Sequence, residues 1–162
     1  MSKKQKPYEK KSYESAGNSS DVSANVYVSM LLSPAWRELT ANQQRLYVYC
    51  KAQRYSEKKK PKTEDYPEGN EIYFTMNQSK WCNLYGLYTV KNKEGFYRDR
   101  DALIHHGFIR VVANGQNTRT KTVYSFWDMW RKWGYDDFKV CPCDMSESML
   151  ANLRKVSEGT AH

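Results

Sequence analysis

The stretch that most constrains this chain runs from Lys91 to Phe126, KNKEGFYRDRDALIHHGFIRVVANGQNTRTKTVYSF. Its first part mixes apolar and basic residues at helical spacing and stops at Gly107, because glycine accepts the left-handed backbone that ends helices. Phe108-Ile109-Arg110-Val111-Val112 follows with no spacer and is rich in strand-forming residues. Asn114-Gly115 opens a turn, and Thr122 to Phe126 reads as a second strand. A helix running directly into a basic hairpin places the chain in the α+β class, with a small antiparallel sheet.

Taking about 100° per residue, Phe96, Leu103 and Gly107 fall on one side of the helix Asn92 to His106, with Ile104 flanking. The opposite side carries Lys91, Glu94, Arg98, Asp101 and His105. Arg98 is best placed to meet a base edge, where a guanidinium bonds bidentately to guanine. Tyr97 sits at the boundary, suited to phosphate contact or to packing. Lys93 and Arg100 lie nearer the core side, where each can reach a phosphate backbone or pair with Asp99. Glu94, Asp99 and Asp101 dilute the positive face. Such mixing suits selective reading, since a carboxylate accepts from cytosine and repels a wrong phosphate register. Glu94 also precedes Arg98 by four residues, the spacing of an intrahelical ion pair.

From Phe108 to Phe126 the charged residues are Arg110, Arg119 and Lys121, with no carboxylate among them. Gln116, Asn117, Thr118 and Thr120 add groups that reach phosphate or the minor groove. The net charge of +8 and pI near 9.2 favour a polyanionic partner,. The candidate contacts are therefore Lys91, Lys93, Tyr97, Arg98, Arg100, His105, Arg110, Asn117, Arg119 and Lys121, and the expected partner is double-stranded DNA.

The flanking segments divide into a disordered basic tail over 1–24, a folded domain over 25–134 and an extension over 135–162. The tail is Lys, Ser, Asn and Gly with little to bury. Asn25 to Val28 reads as a short strand or extended entry. Ser33-Pro34 starts a helix with Trp36 and Leu39 inward. Thr40 and Gln43 form a capping box for a helix from Ala41 to about Tyr55, with Leu46, Tyr49, Cys50 and Gln53 on its core face. A mixed-charge loop with Pro61, Pro67 and Gly69 follows. Glu71 to Met76 alternates as a half-buried strand, Ile72, Phe74 and Met76 facing one way and Tyr73 and Thr75 the other; in a winged helix, which the helix and hairpin above resemble, such a strand would pair beside the hairpin. Asn77 caps a short helix to about Tyr85 that buries Trp81 and Leu84, and Gly86 ends it.

Several classes are set aside. No apolar run approaches the roughly 20 residues that cross a bilayer, and no signal-peptide segment follows the lysines of Met1 to Lys11, so a cytoplasmic location without membrane attachment is expected. Cys141-Pro142-Cys143 lacks the spacer of a zinc knuckle, and no metal or other cofactor is expected. His105 and His106 are adjacent, so their rings diverge by about 100° on a helix and do not share one metal. With no nucleophile triad, phosphate loop or paired-metal carboxylates, an enzyme is not expected.

Trp127-Asp128-Met129-Trp130-Arg131-Lys132-Trp133 reads as a segment that closes the core or makes a dimer surface. It also supports two alternatives, a protein-interaction adaptor and a single-strand binder that stacks bases on tryptophan. Ser146 opens a last short amphipathic helix with Met149, Leu150, Leu153 and Val156.

Met30-Leu31-Leu32-Ser33-Pro34-Ala35-Trp36, Leu39-Thr40 and Gln44-Arg45-Leu46-Tyr47 resemble winged helix-turn-helix proteins of Gram-positive plasmids, phages and conjugative elements. So do Phe96-Tyr97-Arg98-Asp99 and Leu103-Ile104-His105-His106-Gly107-Phe108-Ile109. The resemblance spans about Val26 to Trp130. It implies a winged helix that binds duplex DNA as a replication initiator, replisome organiser or transfer-origin accessory factor. Homodimers and replication or relaxosome proteins are the partners it implies. The chain is short for an initiator with a second domain, which favours an accessory or regulatory role.

Overall fold

Ser33 joins the first two helices. The computed structural model describes residues 24–53, 73–76, 80–113 and 122–140. Helix α1 spans Val28–Leu31 and α2 spans Pro34–Glu38. Between them the Ser33 hydroxyl donates to the Met30 carbonyl at 2.7 Å and accepts from the Trp36 amide at 3.2 Å. One side chain thus satisfies the end of one helix and the start of the next. Val28 opens a helix rather than ending the extended entry that the sequence predicts, and the described residues before it, 24–27, have no regular structure.

Helix α3, Ala41–Gln53, begins at the predicted capping box. The Thr40 amide donates to Gln43 Oε1 at 2.9 Å, and the Gln43 amide to Thr40 Oγ1 at 3.4 Å. Gln44 Nε2 donates to the carbonyls of Trp36 and Leu39, fastening α2 to α3. The buried face is Gln43, Leu46, Tyr47 and Cys50, one helical stripe,. Tyr47, absent from the predicted face, is its centre. It is 2% exposed, and its ring meets Trp36, Phe108 and Phe126 edge-on at 5.7, 5.3 and 5.8 Å. Each such pair contributes about 0.5–1.5 kcal/mol beyond area burial. Tyr49, predicted inward, is half-buried and stacks on Tyr85 at 4.3 Å. Burial pushes the Cys50 thiol far above its ordinary pKa, as it does the Tyr47 phenol, so Cys50 serves as an apolar filler,.

Strands β1 (Tyr73–Thr75), β2 (Ile109–Ala113) and β3 (Val123–Phe126) form an antiparallel sheet in the order β1-β3-β2. The register pairs Phe74 with Tyr124 and Tyr124 with Val111, so these three share one face. Tyr73, Ser125 and Arg110 share the other. A bulge lies between Val111 and Ala113. The predicted half-buried strand is covered on both sides, since Tyr73, Phe74 and Thr75 are all buried. Ile72 lies outside the described residues.

Lys80–Leu84 forms a π-helical turn. The Tyr85 amide donates to the Lys80 carbonyl at 2.9 Å and the Leu87 amide to that of Trp81 at 3.0 Å. Trp81 is buried as predicted, but Leu84 is 70% exposed, and Leu87 and Tyr88 turn inward instead. The wider i→i+5 winding turns each residue less far around the axis, so positions three apart no longer share a face. Asn77 lies outside the described residues.

Helix α4, Lys93–His105, starts at Asn92, whose side chain accepts from the Gly95 amide at 3.0 Å. It ends in a Schellman motif: the Phe108 amide donates to the Leu103 carbonyl, the Gly107 amide donates to that of Ile104, and Gly107 takes φ +76°,. A 3-10 turn, Met129–Lys132, then returns to this corner. Trp130 stacks on Phe108, rings 5.9 Å apart and 5° from parallel. The tryptophan-rich segment closes the core. The amino-terminal tail, the mixed-charge loop and the carboxy-terminal amphipathic stretch lie outside the described residues.

Candidate nucleic-acid interface

Helix α4 packs against both α3 and β2, and two buried carboxylates help seat it. Asp99 is 2% exposed. Its Oδ2 accepts from the Tyr88 hydroxyl at 2.7 Å, and its Oδ1 from Gln43 Nε2 at 3.3 Å. Burial and the Asp99 hydrogen bond push the Tyr88 phenol far above its ordinary pKa, so it stays a donor at any working pH. Asp101, predicted on the open side, is 4% exposed and takes the Nε–H of Arg100 at 2.8 Å. Contact with two elements widens the covered arc of α4 beyond a single stripe, which is why Asp99 and Asp101 turn inward while Glu94 stays exposed.

Arg100 goes with Asp101 rather than Asp99. Its Nη1 lies 3.5 Å from the Tyr124 hydroxyl, and its guanidinium sits 4.9 Å from the centre of the Tyr97 ring. Burial works against the charge of Arg100, but Tyr124 and Asp101 hold its pKa above the ordinary value. With a side chain only 14% exposed, Arg100 is a support and not an open contact.

The open part of α4 is its amino-terminal half. Lys91, Lys93 and Glu94 are exposed, so Lys93 stands clear of the core side that the spacing predicts. Tyr97 is 47% exposed and braced by Arg100. The Arg98 side chain is 72% exposed, and its Nε lies 3.7 Å from Asp99 Oδ1, where the spacing predicts a pair with Glu94. Beside this surface a cleft of about 260 Å³ runs between α4 and the sheet, lined by Met76, Lys93, Phe96, Tyr97, Arg100, Thr122 and Tyr124.

His105 does not join this surface. It sits at the far end of α4, half-buried, edge-on to the rings of His106 and Trp133 at 5.2 Å each. Burial and the neighbouring His106 lower its pKa, with Glu38 opposing. His106 Nδ1 donates to the Ala102 carbonyl at 2.8 Å, and its ring stacks on Trp133 at 4.2 Å. The Trp133 indole donates to Glu38 Oε1 at 2.9 Å. A helix read alone leaves this end open; the segment after β3 covers it.

Arg110 is half-buried on the sheet face opposite Tyr124, donating from Nε to Ser125 Oγ at 3.1 Å, with its guanidinium 5.9 Å from the Trp127 ring. Asn117, Arg119 and Lys121 lie outside the described residues. The structure thus leaves Lys91, Lys93, Tyr97 and Arg98 exposed, brings Arg100 to the cleft with Lys93 and Tyr97 as a half-buried support, and half-buries His105 and Arg110 elsewhere. The buried set of Asp99, Tyr88 and Gln43 was not singled out by sequence, because its members lie 11 and 56 residues apart. The inward spacing of Gln43 with Leu46 and Cys50 was its one visible trace.

Among the described residues no group of three His, Cys, Asp or Glu is arranged to hold a metal. No helix among them is long and apolar enough to cross a membrane. Comparison with known proteins finds no matching family model, curated protein or solved structure.

Proposed function

We propose that this chain is a winged helix-turn-helix protein that binds a specific site in double-stranded DNA, with α4 in the major groove and the β2–β3 hairpin as the wing. The observation that carries the reading is an exposed, basic amino-terminal half of α4 seated on buried polar contacts. An α-helix fits the major groove, and its amino-terminal residues are the ones that meet base edges. The order α3, β1, helical turn, α4, β2, β3, with β1 beside β3, agrees with a winged helix.

In this mechanism Arg98 reads a guanine while Lys91, Lys93 and Tyr97 engage phosphate. Arg110, with Asn117, Arg119 and Lys121 of the hairpin, meets backbone or minor groove. Binding rests on phosphate neutralisation plus a few base contacts, with no bond of the DNA broken. By resemblance, the role is that of a replication, transfer or regulatory factor of a bacterial mobile element. The tryptophans lend less to an adaptor or single-strand reading, since Trp130 is buried and Trp133 stacks on His106.

The test is selection of bound duplexes from a random-sequence pool at moderate salt, with Arg98→Ala alongside. A recovered motif that loses a guanine preference in the variant supports the reading. A pool that shows no enrichment with the parent protein rejects it.

A further inference from the structure

Arg98 is an exposed cation on α4 beside a buried carboxylate, and that carboxylate is itself fixed from two sides. Arg98 Nε stands 3.7 Å from Asp99 Oδ1, although its side chain is 72% exposed and that of Asp99 only 3%. Neighbours in a helix do not normally face each other. Here the exposed side chain leans back over a buried carboxylate. That carboxylate has little freedom: Tyr88 donates to Oδ2 at 2.7 Å and Gln43 to Oδ1 at 3.3 Å.

We infer that Asp99 is a positioning residue for Arg98, and that the Tyr88–Asp99–Gln43 set sharpens base discrimination by orienting the guanidinium before DNA arrives. The inference rests on the DNA-binding reading above and names the device that makes it specific. Arginine presents its donors in a rigid planar fork. An ionic contact made through Nε, at a distance longer than a hydrogen bond, leaves the two terminal nitrogens for guanine O6 and N7,. A long exposed side chain otherwise samples many rotamers, and ordering it on binding carries an entropic cost. Prior orientation by a held carboxylate reduces that cost for the matching base and leaves phosphate contacts elsewhere untouched.

The burial of Asp99 also separates this role from simple packing. Tyr88 comes from the segment before α4 and Gln43 from α3, so the carboxylate links three parts of the chain beneath one exposed arginine. A purely structural Asp99 would affect all duplexes alike. A positioning Asp99 affects one base position.

The experiment is random-duplex selection with the parent, Arg98→Ala, Asp99→Asn and Tyr88→Phe, each checked by thermal melting. The asparagine is isosteric and keeps an acceptor for Tyr88 but loses the charge, and Tyr88→Phe frees the carboxylate without altering it. Loss of about tenfold in preference for the guanine that Arg98→Ala relaxes is expected, within what one bidentate arginine–guanine pair supplies. Affinity for unrelated duplex and its salt dependence stay as in the parent. Should Asp99→Asn melt below the assay temperature, Tyr88→Phe alone decides. Uniform weakening on every sequence, or an unchanged base preference, would overturn the positioning role. Absence of any motif with the parent would reject the DNA reading itself, and this inference with it.

Discussion

The backbone amide of Trp130 donates to the carbonyl of Gly107 at 3.2 Å, tying the turn after β3 to the end of α4. The same approach leaves no room for a side chain. A Cβ on Gly107 would lie 2.7 Å from the Trp130 nitrogen and 2.9 Å from the Met129 carbonyl carbon. Backbone conformation and close contact therefore both require glycine at the point where helix, hairpin and tryptophan segment meet.

Gly107→Ala is expected to destabilise the protein by about 2–4 kcal/mol, combining a left-handed backbone penalty with forced displacement of the 3-10 turn. Urea unfolding measures this. A loss below about 1 kcal/mol would mean that the corner relaxes freely.

Arg100 is half-buried beside the buried carboxylate of Asp101, so removing its guanidinium takes a charge-assisted hydrogen bond from a buried group,. Arg100→Met is expected to cost about 2–3 kcal/mol, at or below the usual range for a broken buried pair. The double variant Arg100→Met, Asp101→Leu should recover part of that loss. A double-mutant cycle with no coupling would show that the pair contributes nothing beyond packing.

His105 gives the fold a pH dependence with a definite sign. Its folded pKa is below the ordinary value of 6.5, through burial and then His106, so the folded state takes up a proton less readily than the unfolded chain. That stabilising contribution is complete above about pH 6.5 and is lost as pH falls through the unfolded toward the folded pKa. The urea midpoint should decline on acidification across this window, and His105→Phe should flatten part of the decline. An unchanged slope in that variant would assign the effect elsewhere.

Lys93 offers a contrast to Arg98. If it meets phosphate, Lys93→Ala should weaken binding to all duplexes alike and lower the log–log salt slope by about one. Titrations at several salt concentrations, on a selected site and an unrelated duplex, separate this from base reading. Weakening confined to the selected site would move Lys93 from phosphate to base contact.

Local signals determined the parts of the fold whose energetics are local. Ser33, the Thr40–Gln43 box, Asn92 at the start of α4 and Gly107 at its end all act within a few residues along the chain, and their spacing is sufficient to place helix boundaries. The hairpin strands after Gly107 were legible for the same reason, from residue preference and turn chemistry, whereas the pairing of β1 beside them, Tyr73 with Ser125, followed only from the resemblance to a winged helix. The exposed candidates Lys91, Tyr97 and Arg98 also followed from helical spacing alone.

Only the tertiary structure decided which side of α4 is buried on its flanks. Asp99 and Asp101 are carboxylates on a helix that reads as mixed and solvated. They lie inside because Tyr88, Gln43 and Arg100 supply donors there, and no pattern along α4 encodes residues from elsewhere. His105 is covered by Trp133 and Leu84 is exposed by a π-helical turn, both outcomes of contacts and winding that hydrophobic periodicity does not contain. Composition and spacing specify how a segment closes its own hydrogen bonds; a buried charge depends on the partner that another segment brings to it.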